Sequence, residues 1–195
     1  MAASYLILHG IENDRPPQHW QFQLAAELVR RGHEVRYPGL PDPYTPILDS
    51  WLEALNGELA ALRGEHRVVV CHSLACLLWF HAAARCLHKV VPVDRVLLVA
   101  PPDSAFVPEA GASFRLAGFE PDPIRESARS ELAIVCSDAD PYNPTGAQTL
   151  YGDPLAIDAT ILHGGQHITP DSGYGRWRFA ERWCQPPPAE HDCTT

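Results

Sequence analysis

Three residues of the types used in nucleophilic catalysis occur in order along the chain, and each follows a predicted strand. They are Ser73, Asp140 and His167. A serine hydroxyl is a weak nucleophile at neutral pH, so it needs a base within hydrogen-bond reach, and the base needs a group that orients it. We therefore predict Ser73 as the nucleophile of an acyl transfer, His167 as the base and Asp140 as the acid that orients the imidazole.

The residues around Ser73 predict the sharp turn that such a nucleophile requires. A β-branched run at 68–70 leads into Cys71, and an apolar helical stretch begins at Leu74. A serine between a strand end and a helix start is lifted above the sheet, and the Leu74 amide is then aimed at the position of an oxyanion. Cys71 and Ala75 stand where glycines are usual, but both side chains are small. The alternative interpretation is that Ser73 only caps a core helix, since serine is a favoured N-cap.

The acid and the base each leave an alternative open. Asp138 competes with Asp140, because both follow the same predicted strand. We favour Asp140, since Asp138 lies nearer the strand and suits a turn or cap role. His167 comes after Gly164 and Gly165, in a turn just past the sixth predicted strand. A histidine on a surface loop would give the same local pattern.

The end of the first predicted strand supplies further candidates for the same site. Gly10 allows a sharp turn, so that the Ile11 amide can join the Leu74 amide in an oxyanion hole. We also predict His9, Gly10 and His72 as candidate substrate-lining residues. The His72 side chain is expected to point away from the serine, into a helix or loop contact.

Apolar runs and breaker residues predict an alternation of strands and helices around these groups. The predicted strands are 4–8, 34–37, 67–71, 93–100, 131–136 and 159–162, and the predicted helices are 19–31, a stretch capped by Asp49 or Ser50 that runs to Gly64, 74–87, 145–151 and 174–184. Such alternation implies a parallel sheet with helices on both faces, with function at the carboxyl ends of the strands. The segment 103–130 is irregular and is expected to be a functional loop or partial lid. Trp20 and Trp79 are expected in the core.

Composition limits the fold and the partners of this chain. Its 195 residues suit one domain at 1–185, followed by a Pro-rich, polar tail at 186–195 that we expect to be frayed. The net charge of −9 argues against nucleic acid and anionic membranes as partners.

The first residues have neither a basic leader nor a long apolar run, so we expect a cytoplasmic protein. The six cysteines lack Cys-x-x-Cys spacing, and two glycines separate His163 from His167, so we expect no metal, disulfide framework or cofactor.

Several of these motifs together resemble a known family. They are His9-Gly10, the run 71–75, Asp140-Pro141-Tyr142, the Gly-rich turn 164–167 and the run 173–177 that follows. The chain resembles the small serine hydrolases of the YdeN and retinoblastoma-binding-protein-nine family, a compact α/β-hydrolase branch, up to about Cys184. That resemblance implies a six-stranded parallel sheet in the order 2-1-3-4-5-6 with a minimal cap. It also implies Ser73 as nucleophile, Asp140 as triad acid and His167 as base.

These observations predict a cofactor-independent serine hydrolase, carboxylesterase-like, that acts on small, neutral or apolar esters or amides. An alternative from another class is a catalytically weak or inactive protein of this fold that acts as a protein-interaction module, since fold does not guarantee turnover. A second alternative is a thiol enzyme that uses Cys71 or Cys76.

Overall fold

The computed structural model describes residues 3–85 and 91–185, in which strands and helices alternate along the chain. The strands are β1 (Ser4–Leu8), β2 (Glu34–Arg36), β3 (Arg67–His72), β4 (Arg95–Val99), β5 (Glu131–Ser137) and β6 (Thr160–Leu162). The α-helices are α1 (Trp20–Arg30), α2 (Leu48–Ala60), α3 (Leu74–Ala84), α4 (Pro121–Arg125), α5 (Asp153–Leu155) and α6 (Arg178–Trp183).

The six strands form one parallel sheet in the order β2-β1-β3-β4-β5-β6. Because all strands run the same way, their carboxyl ends meet at one edge, where ligands bind in open α/β sheets. β1 and β3 lie side by side near the middle, with Leu8 opposite Cys71. The loops after these two strands are therefore neighbours, although about sixty residues separate them in the sequence.

Apolar side chains cover both faces of the sheet, as the near-continuous hydrophobic strands require. On one face, alternate strand residues pack against α2 and α3, and nearly the whole of α3 is buried. On the other face, the intervening strand residues pack against α1 and α6. This pattern gives the predicted arrangement of helices on both faces. Trp20 and Trp79 are both buried in these clusters, as predicted.

The second helix begins before the predicted caps. Helix α2 begins at Leu48, not after Asp49 or Ser50, and its N-cap Ile47 makes no side-chain cap. Instead, the Leu48 amide donates to the Ser113 hydroxyl, which comes from a distant part of the chain. Such a tertiary cap has no local sequence signal, because the acceptor is not in the flanking residues.

The predicted helices at 174–184 and 145–151 also differ from the observed ones. A left-handed Gly173 ends a short 3₁₀ turn, and the chain stays extended at Trp177, so α6 begins only at Arg178. A π-helical turn at Gln148–Gly152 and the short α5 replace the predicted helix before β6. The end of the predicted helix 74–87 and the whole of the predicted tail 186–195 lie outside the described residues.

The irregular segment that follows β4 contains short helical turns. They are the 3₁₀ turns Ser104–Phe106 and Glu109–Phe114, followed by α4.

Within residues 3–85 and 91–185, no helix has both the length and the apolar character needed to cross a bilayer.

Candidate active site

Ser73 lies in a sharp turn between β3 and α3. Its backbone has φ 56° and ψ −124°, a conformation that costs a non-glycine residue free energy and occurs mostly at functional sites. Two backbone hydrogen bonds hold it: the Ser73 amide donates to the Val99 carbonyl at 2.9 Å, and the Ser73 carbonyl accepts from the Cys76 amide at 2.8 Å. The neighbouring strand and the first turn of α3 thus fix the predicted elbow.

A glycine on the adjacent loop gives this elbow its space. A Cβ on Gly10 would lie 2.8 Å from Ser73 Cβ and 3.2 Å from Ser73 Oγ, closer than carbon atoms normally approach. By contrast, Cys71 and Ala75 are fully buried and fit where glycines are usual. In this chain, the position beside the serine that has no space for a Cβ is therefore Gly10, on the loop after β1.

The side chains of Ser73, His167 and Asp140 are joined by hydrogen bonds. His167 Nε2 lies 2.7 Å from Ser73 Oγ, and His167 Nδ1 lies 2.9 and 3.0 Å from the two Asp140 carboxylate oxygens. The Asp140 side chain is only 2% exposed, and one of its oxygens also accepts from the Tyr142 amide at 2.9 Å. A buried acid held in this way can orient the imidazole, with a proton on Nδ1, so that Nε2 accepts from the serine hydroxyl.

Asp138 takes part in a different set of contacts. Its carboxylate accepts from the Gly164 amide at 2.8 Å and lies 2.6 Å from His163 Nδ1. These bonds, the Gly164 amide first and His163 second, hold the pKa of Asp138 below its usual value. Asp138 and His163 thus close the turn on the surface side, and the carboxylate against His167 is that of Asp140.

The two predicted oxyanion donors lie beside the serine. Leu74 is the first residue of α3, so its amide has no acceptor within the helix. The positive end of the helix dipole adds to the attraction for an anion there. Ile11 also lines the cavity next to Ser73, directly after Gly10.

Of the three candidate lining residues, Gly10 and His72 line the cavity and His9 does not. The His9 ring is buried below the loop: Nε2 accepts from the Leu40 amide at 2.9 Å, and Nδ1 lies 2.8 Å from the Gly10 carbonyl. Burial lowers the pKa of His9. The prediction of His9 as a substrate-lining residue is therefore corrected to a role in holding two loops together, because both ring nitrogens are used by the backbone.

His72 points away from the serine and contacts a helix and a loop, as its position predicts. Its Nε2 lies 3.0 Å from the His167 carbonyl oxygen, and its ring packs against those of His19, Trp20 and His167. Burial, and then the neighbouring His167 and His19, hold the pKa of His72 well below its usual value. The ring is therefore neutral at physiological pH.

A cavity of about 720 Å³ opens above these groups. Its acidic lining residues are Glu12, Asp14 and Asp171, and neither lysine nor arginine is among the described residues that line it. The half-exposed rings of Tyr44, Phe106 and Tyr142 also line it. The Tyr142 ring packs edge-on against His167, with the ring centroids 4.6 Å apart. The sequence motifs gave no signal for the acidic residues, since they lie on separate loops.

The cysteines near the site are poorly suited to nucleophilic chemistry. Cys71 and Cys76 are fully buried, and burial raises the pKa of both thiols. The Cys76 thiol donates to the Val99 carbonyl at 3.4 Å. Because the thiolate is the reactive form, these surroundings oppose a thiol mechanism. In the described part of the chain, no three His, Cys, Asp or Glu side chains are grouped to hold a metal ion.

Comparison with known proteins places the chain in a family. A sequence model of the family described as serine hydrolase matches residues 5–184, nearly the whole chain. The chain belongs to the serine hydrolase family. No curated protein matches its sequence closely enough to count as a relative.

Solved structures of similar fold include two YdeN-type proteins. The ydeN gene product from B. subtilis is 21% identical, with 94% of this chain and 96% of that one covered and a TM-score of 0.75. A YdeN-like hydrolase from Pectobacterium atrosepticum is 19% identical, with 93% and 88% covered and a TM-score of 0.73. The esterase domain of a Rhodothermus marinus protein is 14% identical, with 92% and 84% covered and a TM-score of 0.64. The predicted α/β-hydrolase fold and the resemblance to the YdeN serine hydrolases are confirmed.

Proposed function

We propose that this serine hydrolase cleaves small ester or amide substrates through an acyl-enzyme on Ser73, in the manner of a carboxylesterase and without a cofactor. The observation that carries the proposal is the continuous contact from Ser73 Oγ to His167 Nε2, and from His167 Nδ1 to the buried Asp140 carboxylate. This contact lies at the base of an open cavity, where a substrate carbonyl can reach the hydroxyl. Nucleophile, base and orienting acid within hydrogen-bond distance are the requirements of such catalysis.

The reaction follows from the roles of these groups. Ser73 Oγ attacks the substrate carbonyl carbon while its proton passes to His167 Nε2, and the carbonyl oxygen becomes an oxyanion. As this intermediate collapses, His167 gives the proton to the leaving alcohol or amine, and the acyl group stays on Ser73. Water then attacks the acyl-enzyme with His167 as base, which releases the carboxylic acid. Asp140 keeps the imidazole in place and stabilises its positive charge in both steps.

The oxyanion would be held by the amides of Leu74 and Ile11. The Leu74 amide lies at the start of α3, where it has no acceptor within the helix. Ile11 follows Gly10, the glycine that lies against Ser73. Because these donors are fixed before the reaction, they stabilise charge as it develops without reorganisation.

The cavity favours small neutral substrates and disfavours anionic ones. Its volume of about 720 Å³ is within the usual range of sites for small molecules, which is about 300–1,000 Å³. The carboxylates of Glu12, Asp14 and Asp171 repel a negatively charged substrate, and the aromatic rings at its sides suit apolar groups. We therefore propose a small-molecule partner. The cytoplasmic location, the single domain at 1–185 and the lack of nucleic-acid and membrane partners stay predictions from the sequence.

A fluorophosphonate probe tests the proposal, because it reacts with an activated serine without requiring the natural substrate. The purified protein is treated with the probe, and the adduct is located by mass spectrometry. We expect an adduct on Ser73 that is absent in Ser73→Ala and strongly slowed in His167→Ala. Cys71→Ala should label like the wild type, which would exclude the thiol mechanism at that position. No adduct on the folded wild-type protein would overturn the proposal and favour an interaction module of the same fold.

A further inference from the structure

The turn that carries His167 is strained on both sides of the histidine. Gln166 has φ 50° and Ile168 has φ 54°, and neither is a glycine. For an L-residue, this left-handed conformation costs free energy, and the cost is greatest for a β-branched residue such as Ile168. Such a turn persists only where the surrounding structure holds it. The position of His167 is therefore not set by the turn alone.

Two buried side chains donate hydrogen bonds to this turn. His72 Nε2 lies 3.0 Å from the carbonyl oxygen of His167 itself, and Trp20 Nε1 donates to the carbonyl oxygen of Ile168 at 2.9 Å. His72 is the last residue of β3 and Trp20 is the first of α1, so the donors come from two separate elements. Their rings meet edge-to-face, with centroids 5.6 Å apart. Ile168 is fully buried against the same core.

The hydrogen-bond pattern of His72 indicates which ring nitrogen carries its proton. A carbonyl oxygen can only accept, so Nε2 must carry the hydrogen. His72 Nδ1 is buried and has no hydrogen-bond partner among the described residues. A buried polar atom without a partner is unfavourable. The His72 ring therefore makes its Nε2 hydrogen bond at a free-energy cost, at Nδ1, that an apolar ring would not have.

We propose that His72 and Trp20 are positioning residues that hold the backbone of His167, so that its imidazole stays between Asp140 and Ser73. The inference rests on the proposed function, since it assigns these residues to the base of that reaction. Neither side chain needs to touch the reacting atoms. They act through the two successive carbonyls of the strained turn, and a displacement of this turn would move His167 Nε2 away from Ser73 Oγ.

The chain contains matched controls for both donors. His81 on α3 makes the same kind of bond at the same distance, from Nε2 to the Phe114 carbonyl at 3.0 Å, but not to the turn of His167. Trp79 is buried like Trp20, and its Nε1 donates to the Ser127 hydroxyl at 2.9 Å. Replacing these residues removes equivalent bonds and leaves the turn untouched.

The test compares His72→Phe, which keeps a ring but removes the donor, with His72→Gln, whose amide nitrogen can reach the same carbonyl. The first readout is the rate of fluorophosphonate labelling of Ser73, together with kcat and KM on a neutral aryl ester. We expect His72→Phe to label about tenfold more slowly, as expected for one neutral hydrogen bond expressed in the barrier. The loss should fall on kcat more than on KM. His72→Gln should recover most of the rate, and His81→Phe should label at the wild-type rate even if it unfolds at a lower temperature.

The second readout does not depend on activity. We expect the proton between His167 Nδ1 and the Asp140 carboxylate to give a far-downfield ¹H resonance in the wild type. This resonance should weaken in His72→Phe and persist in His72→Gln and His81→Phe. If His72→Phe does not fold, Trp20→Phe against Trp79→Phe makes the same comparison through the Ile168 carbonyl.

Other results would overturn the positioning role or the proposed function. Wild-type labelling and an unchanged resonance in folded His72→Phe would overturn the positioning role, as would an equal slowing in His81→Phe. If the wild type itself does not label, the proposed function fails. The resonance then tests the positioning role by itself. Its loss in His72→Phe supports that role, and its persistence in His72→Phe overturns it.

Discussion

Gly10→Ala adds a single methyl group against the proposed nucleophile. The new Cβ would lie 2.8 Å from Ser73 Cβ, 3.2 Å from Ser73 Oγ and 3.4 Å from the His72 carbonyl oxygen. Two carbon atoms normally stay about 3.5–4.0 Å apart, so the loop and the elbow must separate by roughly 1 Å. Gly10 does not have a positive φ, and alanine can therefore adopt its backbone conformation. The substitution thus tests close packing without backbone strain.

The expected effects follow from that displacement. Overpacking of a buried contact costs about 1–3 kcal/mol of unfolding free energy. A misplacement of roughly 1 Å in a catalytic site lowers the rate by about 10²-fold. The Ile11 amide moves with the loop, so the proposed oxyanion hole is disturbed as well. We expect Gly10→Ala to fold, to lose stability within that range and to label with fluorophosphonate about 10²-fold more slowly.

Two other glycines provide controls. A Cβ on Gly118 or on Gly57 would have no neighbouring atom within 4 Å. Gly118→Ala should behave like the wild type, and Gly57→Ala in α2 should gain about 0.5–1 kcal/mol of stability. Unfolding in urea and labelling kinetics are measured on all variants. Wild-type labelling by Gly10→Ala would refute the reasoning, because it would mean that Ser73 tolerates a methyl group in the space that the glycine leaves.

Three further predictions concern the acid, the response to pH and the charge of the substrate. Asp140→Asn should lower kcat by about 10⁴-fold, since the amide no longer enforces the required imidazole tautomer. Asp138→Asn should leave kcat within a few-fold of the wild-type value. Equal losses in ester-hydrolysis assays would contradict the assignment of Asp140 as the acid that orients His167. Burial, and then His9 and His167, lower the pKa of His19 from 6.5 to about 4, so between these values the unfolded chain binds a proton that the folded protein does not. The stability that depends on neutral His19 is therefore present above the unfolded pKa and is lost as pH falls towards 4. His19→Asn keeps a favoured N-cap residue type and should reduce the slope of unfolding free energy against pH by up to about 1.4 kcal/mol per pH unit. An unchanged slope in urea titrations would exclude His19 as a source of this pH dependence. Finally, kcat/KM should be higher for a neutral aryl ester than for a carboxylate-bearing one, and the ratio should shrink in Asp171→Asn and at high salt; no preference would mean that the lining carboxylates do not reach the substrate.

The order of the strands and the main chemical groups were predictable from local patterns. The runs that became β1, β3, β4 and β5 are strongly apolar, and this feature persists whatever surrounds them. Parallel strands joined by helices have few allowed connections, and their carboxyl ends meet at one edge. For this reason Ser73 and His167, 94 residues apart, could be expected at one site.

Boundaries and supporting contacts were less predictable, because they depend on residues distant in the sequence. The start of α2 depends on the Ser113 hydroxyl, which no pattern near Leu48 indicates. The late start of α6 follows from the path of the chain after Gly173, although the apolar spacing begins earlier. Local propensity places helix ends only approximately for this reason.

By itself, the sequence determined the alternation of strands and helices, the position of Ser73 between a strand and a helix, and the presence of residue types suited to acyl transfer. These depend on short-range patterns of polarity, size and turn-forming residues. Only the tertiary structure decided that Asp140 and not Asp138 faces His167, and that His9 binds a loop instead of lining the cavity. It also decided that His72 reaches the turn that carries His167. Each of these outcomes depends on where a side chain points relative to a group from another element. Such directions arise from packing of the whole chain, since hydrogen bonds between distant residues form only when the core has fixed both partners.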